Sequence, residues 1–581
     1  MGIGLSLSLI AAVLGGASGA GEAQAKVESK PPCVLAAESV SSTLVNASKA
    51  KLSTWPLYEI ELTVSPANRE LSGRMQVSFL APATGLESIT LMLPPPESFG
   101  GASPMTVTTA RARIGEAGEF EDVSVQRNEV RLAVVLPRPT VNGELITLLL
   151  EMSGQLAFRE AGTLAESMGA MLGGNRAQEI GAIGTDGTGV VLLGAHPVLA
   201  SYHDGAFFDS PGVPWGPPHS SLPACFIMSV STPQGLVSAA TGQSISRVPM
   251  PDGNVRHTFV AAGARRMGVV LVPSGMERDE RRVGEVAVRA TAERVATAKE
   301  MTRWAEGLLR HYEKRFGTYP WRRLELVEAR MGGAIAGLRA PGLVLVNEMA
   351  INSTGALSGM GGGDMSSFMQ ELAIAHQMAH LWFGELIDVG GVSSPALEEA
   401  LAWHAVIDYA RTRHGDEVAQ RIRRRIVNLA YHLWRAMGGV DGPAGVSLER
   451  IMEQGGLAAY TGLCDGKAPG LMEALEEAVG RATLRRALMG FAQSSRFGTT
   501  DRRELEETIR SAARGERRDL VGPLFERWLD EAHGDDDLGE SSEALSRALM
   551  EELGAASGMG SAEMQRMIEE MLRSLGGLMG P

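Results

Sequence analysis

Residues 366–403 read SSFMQELAIAHQMAHLWFGELIDVGGVSSPALEEALAW. His376 and His380 lie four apart in an apolar run with helical spacing, so both imidazoles project from one face of one helical turn. That geometry gives a metal two ligands from one element. Ser366 and Ser367 can cap the start and Gly384 can end the run, which predicts a helix of about 17 residues. A second helical stretch opens near Pro395 and carries Glu398 and Glu399. A carboxylate from it could complete a three-ligand site with the fourth position open to water, the form that catalytic zinc takes.

The rest of the chain sets the frame for this segment. At 581 residues, three or four structural units are expected from length alone. A hydrophobic content of 44% suffices for packed cores, and a formal charge of −14 argues against a general nucleic-acid binder. The three cysteines, Cys33, Cys225 and Cys464, are far apart and odd in number, so neither a disulfide framework nor a cysteine zinc site is expected. Residues 1–25 hold an apolar run from Ile3 to Leu14, then small residues ending Ala23-Gln24-Ala25, and read as an export signal, although the start carries no Lys or Arg. The run is too short for a stable membrane span of about 20 residues, and no other candidate span follows.

Residues 26–53 read as a polar linker. From Tyr58 the pattern alternates, Tyr58, Ile60, Leu62 and Val64, then Leu71, Met75, Val77 and Phe79, which predicts two strands joined by a turn. Further strand-like runs near 86–93, 121–136 and 144–152, with Pro, Gly and Asn between them, indicate a β-sandwich. Residues 160–188 are Gly- and Met-rich and read as a long loop with a helical piece, and strands resume at 190–193, 224–230 and 258–272. A helical pattern is expected from Val286 to Phe316, then a strand at Leu324 to Val327. A Gly-rich bend leads into another strand at 343–346, and 353–364 reads as a flexible connector. Helical blocks follow at 416–437, 468–479, 482–493, 500–513 and 520–533, and 541–581 reads as a loosely ordered tail. No phosphate loop, dinucleotide fingerprint or nucleophile elbow stands out.

The flanks of the histidine pair resemble the zinc aminopeptidase (gluzincin) family that includes alanyl aminopeptidase and leukotriene hydrolase. Its pattern reads HExxHxWFG, eighteen residues, then Glu within NEGFA. His376, His380, Trp382, Phe383 and Gly384 match, and Glu399 falls nineteen positions after His380. Phe207 to Gly235 and His311 to Trp321 also resemble that family, so the likeness spans about 54–538. It implies an α+β multidomain fold: an N-terminal β-sandwich at 54–274, then a thermolysin-like α/β domain with a helical C-terminal part at 275–540. It also implies one zinc ion (Zn2+) held by His376, His380 and Glu399, and a peptide or protein substrate.

Three positions depart from the family pattern. Gln377 stands where the family has the glutamate that serves as general base, a role worth about 100- to 10,000-fold in rate, and a carboxamide cannot take a proton. Arg339 stands where a family glutamate on an edge strand receives the substrate's α-amine, which a cation would repel. Where the family has an oxyanion-stabilising tyrosine, counting back from Gly480 reaches Cys464 or Asp465, and the nearest tyrosine, Tyr460, reads as a core or surface residue. The leading expectation is therefore a zinc-binding metallopeptidase fold with weak or lost hydrolysis. One alternative is an active peptidase whose base is relocated to Glu371, Asp388 or Glu398. The other is a non-enzymatic scaffold for a peptide or protein.

Overall fold

In the computed structural model the residues described are 39–40, 54–96, 102–159, 181–208, 221–331, 335–347, 363–389 and 395–539. The expected signal, most of the linker, most of the 160–188 loop, nearly all of the 353–364 connector and the 541–581 tail lie outside them. The period-two pattern at the start becomes strands Leu57–Ser65 and Glu70–Leu80, paired antiparallel with Ile60 opposite Met75. Both belong to an eight-stranded sheet in the order 243–249, 254–264, 224–233, 57–65, 70–80, 145–155, 105–114, 121–122. Five- and four-stranded sheets complete the sandwich, with cores drawn from alternate residues of each strand.

The same alternation explains why some strands read as unbroken apolar runs. In Val190–Leu193, Val190 and Leu192 enter the sandwich core, whereas Val191 and Leu193 join the core of the following domain. Phe226 and Met228 against Cys225 and Ile227 divide in the same way. A strand covered on both faces loses its polar side. Arg265, buried at the end of this region, donates to the backbone carbonyls of Ser221 at 2.5 Å, Glu385 at 3.2 Å and Gly498 at 2.6 Å, which ties the sandwich to two later segments. Cys225 is disulfide-bonded, its partner lying outside the described residues, and Cys464 is free and buried. The odd cysteine count thus conceals one bridge that the sequence reading did not anticipate.

The last strand of these sheets ends at Pro273, and a new five-stranded sheet starts at Glu277, ordered 277–283, 286–292, 323–329, 343–347, 337–340. Here the expected helix start is wrong. Val286–Ala292 is a strand hairpinned to Glu277–Val283, and the helix runs only from Val295 to Phe316. Val286, Val288, Ala290 and Ala292 are buried on one face and Ala287 and Thr291 on the other, and a strand covered on both faces is hard to tell from a helix by hydrophobicity alone. The edge strand Gly337–Ala340 pairs antiparallel with Leu343–Asn347, as the resemblance implied.

The remaining chain is helical. Observed helices at 416–422, 428–436, 469–479, 481–494, 502–512 and 521–525 fall within the expected blocks to a residue or two, except that π-helical turns occupy 423–427 and 526–530. A helix at Leu448–Tyr460, capped by Ser447, was not anticipated because Gly455 and Gly456 break its backbone regularity. It runs into a π-helical turn at Thr461–Lys467.

Candidate metal centre

The first histidine helix spans Gly363–Ala379, and His380 continues it, its amide bonded to the His376 carbonyl at 3.3 Å. The chain then turns sharply at Gly384, whose φ of +127° suits glycine. A Cβ there would sit 2.6 Å from Glu398 Oε1, so the glycine also clears space for that carboxylate. The second helix, Pro395–His414, packs against the first and buries both Glu398 and Glu399.

Three ligand atoms converge from these two helices. The Nε2 atoms of His376 and His380 lie 3.1 Å apart, and Glu399 Oε2 is 3.3 Å from each. Tetrahedral zinc with bonds of about 2.0–2.1 Å spaces its ligands about 3.3 Å apart, so the triad already has the span such an ion requires. Glu399 Oε2 is buried without a hydrogen-bond partner among the described residues. Two facing Nε2 atoms can share only one proton and Glu399 Oε2 brings none, so three acceptor atoms meet with too few hydrogens, a deficit that a cation would satisfy. These residues fit the group.

The electrostatics follow from burial and close pairing. Burial pulls His376 below the usual imidazole range, partly offset by Glu399. Burial and Arg339 also depress His380, but the Glu399 and Glu398 carboxylates outweigh them and raise it to about 9. Burial would raise Glu399, yet the two imidazoles hold it well below the usual carboxylate range. Its other oxygen, Oε1, accepts from the Tyr460 hydroxyl at 2.7 Å. Tyr460 is therefore neither a plain core nor a surface tyrosine: its hydroxyl reaches the site, and burial and Glu399 push its pKa well above the usual phenol range.

Other sequence candidates are placed as follows. Gln377 follows His376 on the same helix and is 9% exposed, its Oε1 without a hydrogen-bond partner among the described residues. Arg339 does not face an open cleft. It is 2% exposed and donates to Glu398 Oε1, because Glu398 offers it a buried counter-charge. The Arg339 guanidinium, placed on the edge strand by the sequence, is thus engaged in an internal ion pair. The three candidate relocated bases are also engaged. Glu371 accepts from Tyr409 at 2.5 Å and meets His414, Asp388 accepts from Thr499 at 3.2 Å, and Glu398 is shared by Arg339 and His380.

Two neighbours were missed. Trp403, four residues after Glu399 on the same helix, lies over His376 with ring centroids 4.5 Å apart and donates to Asp465 Oδ1 at 3.1 Å. Burial and Glu399 drive the Asp465 carboxyl well above the usual carboxylate range. The four-residue spacing of Trp403 from Glu399 was legible. Asp465 lies 66 residues after Glu399, so its approach through Trp403 is set by the fold alone.

No family model and no curated protein matches this chain in sequence. Its backbone is similar to the crystal structure of an M1 zinc metallopeptidase from Deinococcus radiodurans, with a TM-score of 0.53 at 18% identity over 82% of this chain and 94% of that one. A two-domain M1 zinc metallopeptidase, a Glu-to-Ala variant bound to L-tryptophan, gives 0.54 at 19% identity over 82% and 94%. The Deinococcus enzyme's variant bound to a Tyr-Ser-Ala substrate gives 0.54 at 18% over 82% and 95%. At such identities the likeness establishes the fold: this chain has the multidomain fold of the M1 zinc metallopeptidases.

Proposed function

We propose that this protein is a zinc-binding relative of the gluzincin aminopeptidases in which peptide hydrolysis is weak or lost, because Gln377 occupies the place of the general base. The observation that carries this reading is the convergence of His376, His380 and Glu399 beside a buried carboxamide. When bound, zinc would supply Lewis acidity, polarising a carbonyl and acidifying water. His376, His380 and Glu399 would hold it, and Tyr460 holds Glu399 in register through its hydroxyl. Gln377 can orient a water by hydrogen bonding but has no site to accept its proton. One structural neighbour is bound to a Tyr-Ser-Ala substrate and another to the amino acid L-tryptophan, which supports a short peptide as the ligand class.

A second reading, an active peptidase, draws support from Tyr460, whose hydroxyl reaches the site after all. Its weakness is the prior engagement of Glu371, Asp388 and Glu398. A metal-free scaffold fits less well, since it would not need three lone-pair donors so closely spaced. We also propose that the chain is exported, a reading supported by the apolar N-terminal run and by the disulfide at Cys225, a bond that persists in oxidising compartments.

The test is metal analysis of protein purified without chelator, with about one zinc per chain expected and its loss in His376→Ala and Glu399→Ala. An aminoacyl-anilide assay accompanies it. A metal-free natural chain sinks the reading, and so does turnover near 10 per second, typical of working enzymes.

A further inference from the structure

Glu398 and Glu399 are neighbours on one helix, yet they address opposite sides of the same imidazole. Glu399 Oε2 faces His380 Nε2 at 3.3 Å, while Glu398 Oε1 lies 2.8 Å from His380 Nδ1. The Phe383 carbonyl also points at Nδ1, at 3.2 Å. Both of these neighbours are acceptors, so Nδ1 carries a hydrogen, which leaves Nε2 as the atom that would face a metal beside Glu399. The carboxylate is itself held from behind. Arg339 donates to the same Oε1, and Arg266 from the sandwich region fixes Arg339 by donating to its backbone carbonyl at 2.6 Å. Gly384 leaves the space in which Glu398 sits. By contrast, His376 Nδ1 has no hydrogen-bond partner among the described residues, so one ligand is anchored and the other is not.

We propose that Glu398 is a positioning residue for the metal site: it orients the His380 ring through Nδ1, while Arg339 neutralises Glu398 and keeps it from competing as a ligand. This rests on the zinc reading above. It also gives Arg339 a purpose unrelated to substrate. Carboxylates that receive the far N–H of a metal-bound histidine typically account for about 10- to 100-fold in metal affinity.

The experiment is zinc affinity by chelator competition on the full chain, for the natural protein, Glu398→Ala and Glu398→Gln. The visible spectrum of each cobalt-loaded protein and the thermal melt of each metal-free protein are recorded alongside. The expected result for Glu398→Ala is a 10- to 100-fold weaker zinc complex and shifted cobalt bands. Glu398→Gln, which still offers an acceptor to Nδ1, recovers most of the affinity. If both variants hold zinc within threefold of the natural chain with unchanged cobalt bands, Glu398 does not orient His380 and the inference falls while the zinc reading stands. Equal loss in both variants, matched by an equal fall in metal-free melting temperature, marks Glu398 as merely structural and also overturns it. A natural chain that binds no zinc overturns both.

Discussion

Gln377→Glu is the most informative single change. The side chain is buried to 9% exposure, its Oε1 has no hydrogen-bond partner among the described residues, and its Cγ lies against the edge strand, 2.8 Å from where a Cβ on Gly337 would be. Glutamate is nearly the same shape, so the substitution changes chemistry with little repacking. General-base catalysis is worth about 100- to 10,000-fold, or about 2.7–5.4 kcal/mol of barrier. Hydrolysis of an aminoacyl anilide by the zinc-loaded variant is therefore expected to rise at least about 100-fold over the natural chain. The same carboxylate, buried without a partner when metal is absent, is expected to lower metal-free stability by about 1–3 kcal/mol, read by urea unfolding. Gln377→Met is the control, since an apolar group of similar shape replaces an already unsatisfied oxygen and leaves both rate and stability nearly unchanged. If the glutamate variant folds, holds one zinc and shows no gain, Gln377 is not what limits hydrolysis.

Other consequences can be measured independently. Tyr460→Phe removes the hydroxyl that Glu399 Oε1 accepts and is expected to lower metal-free stability by about 1–3 kcal/mol by urea unfolding. Asp408 gathers His311 at 3.0 Å, Arg315 at 2.5 Å and Arg485 at 3.3 Å, and although burial would raise its pKa, these partners hold it far below the usual carboxylate range. Because the unfolded carboxyl takes up its proton first, near pH 3.9, the stabilisation is complete at neutral pH and is lost as acid is added below about pH 4. Asp408→Asn should therefore flatten that part of the stability curve, by up to about 1.4 kcal/mol per pH unit, and cost about 3–5 kcal/mol at neutral pH. An added Cβ in Gly470→Ala would lie 2.0 Å from the Trp528 ring, so overpacking of about 1–3 kcal/mol is expected in the thermal melt.

What could be read in the sequence was local, and what could not was distant or irregular. The histidine pair and Glu399 were legible because a helix fixes the first spacing and the flanking pattern fixes the second. The sandwich showed in the alternation of Tyr58 to Phe79, and the edge strand in the Gly-rich bend before Leu343. Arg339 was legible on its edge strand, but its partner Glu398 is 59 residues away and could not be read from the sequence. Tyr460 is hidden from sequence spacing because a π-helical turn lies between it and Gly480, and only the fold shows its hydroxyl on Glu399. The strand at Val286–Ala292 was taken for helix because both its faces are covered, and the helix at Leu448–Tyr460 was lost behind Gly455 and Gly456.

The Arg265 clasp carries a last consequence for how this molecule comes apart. Its three backbone acceptors belong to stretches on either side of any cut one might make near residue 274, and the outward residues of the flanking strands are already shared with the next module. A severed N-terminal piece would expose Cys225, Ile227, Val260 and Ala262 to water together with an unanswered guanidinium. The intact chain should accordingly melt in one cooperative step, and limited digestion should fail to liberate a stable half.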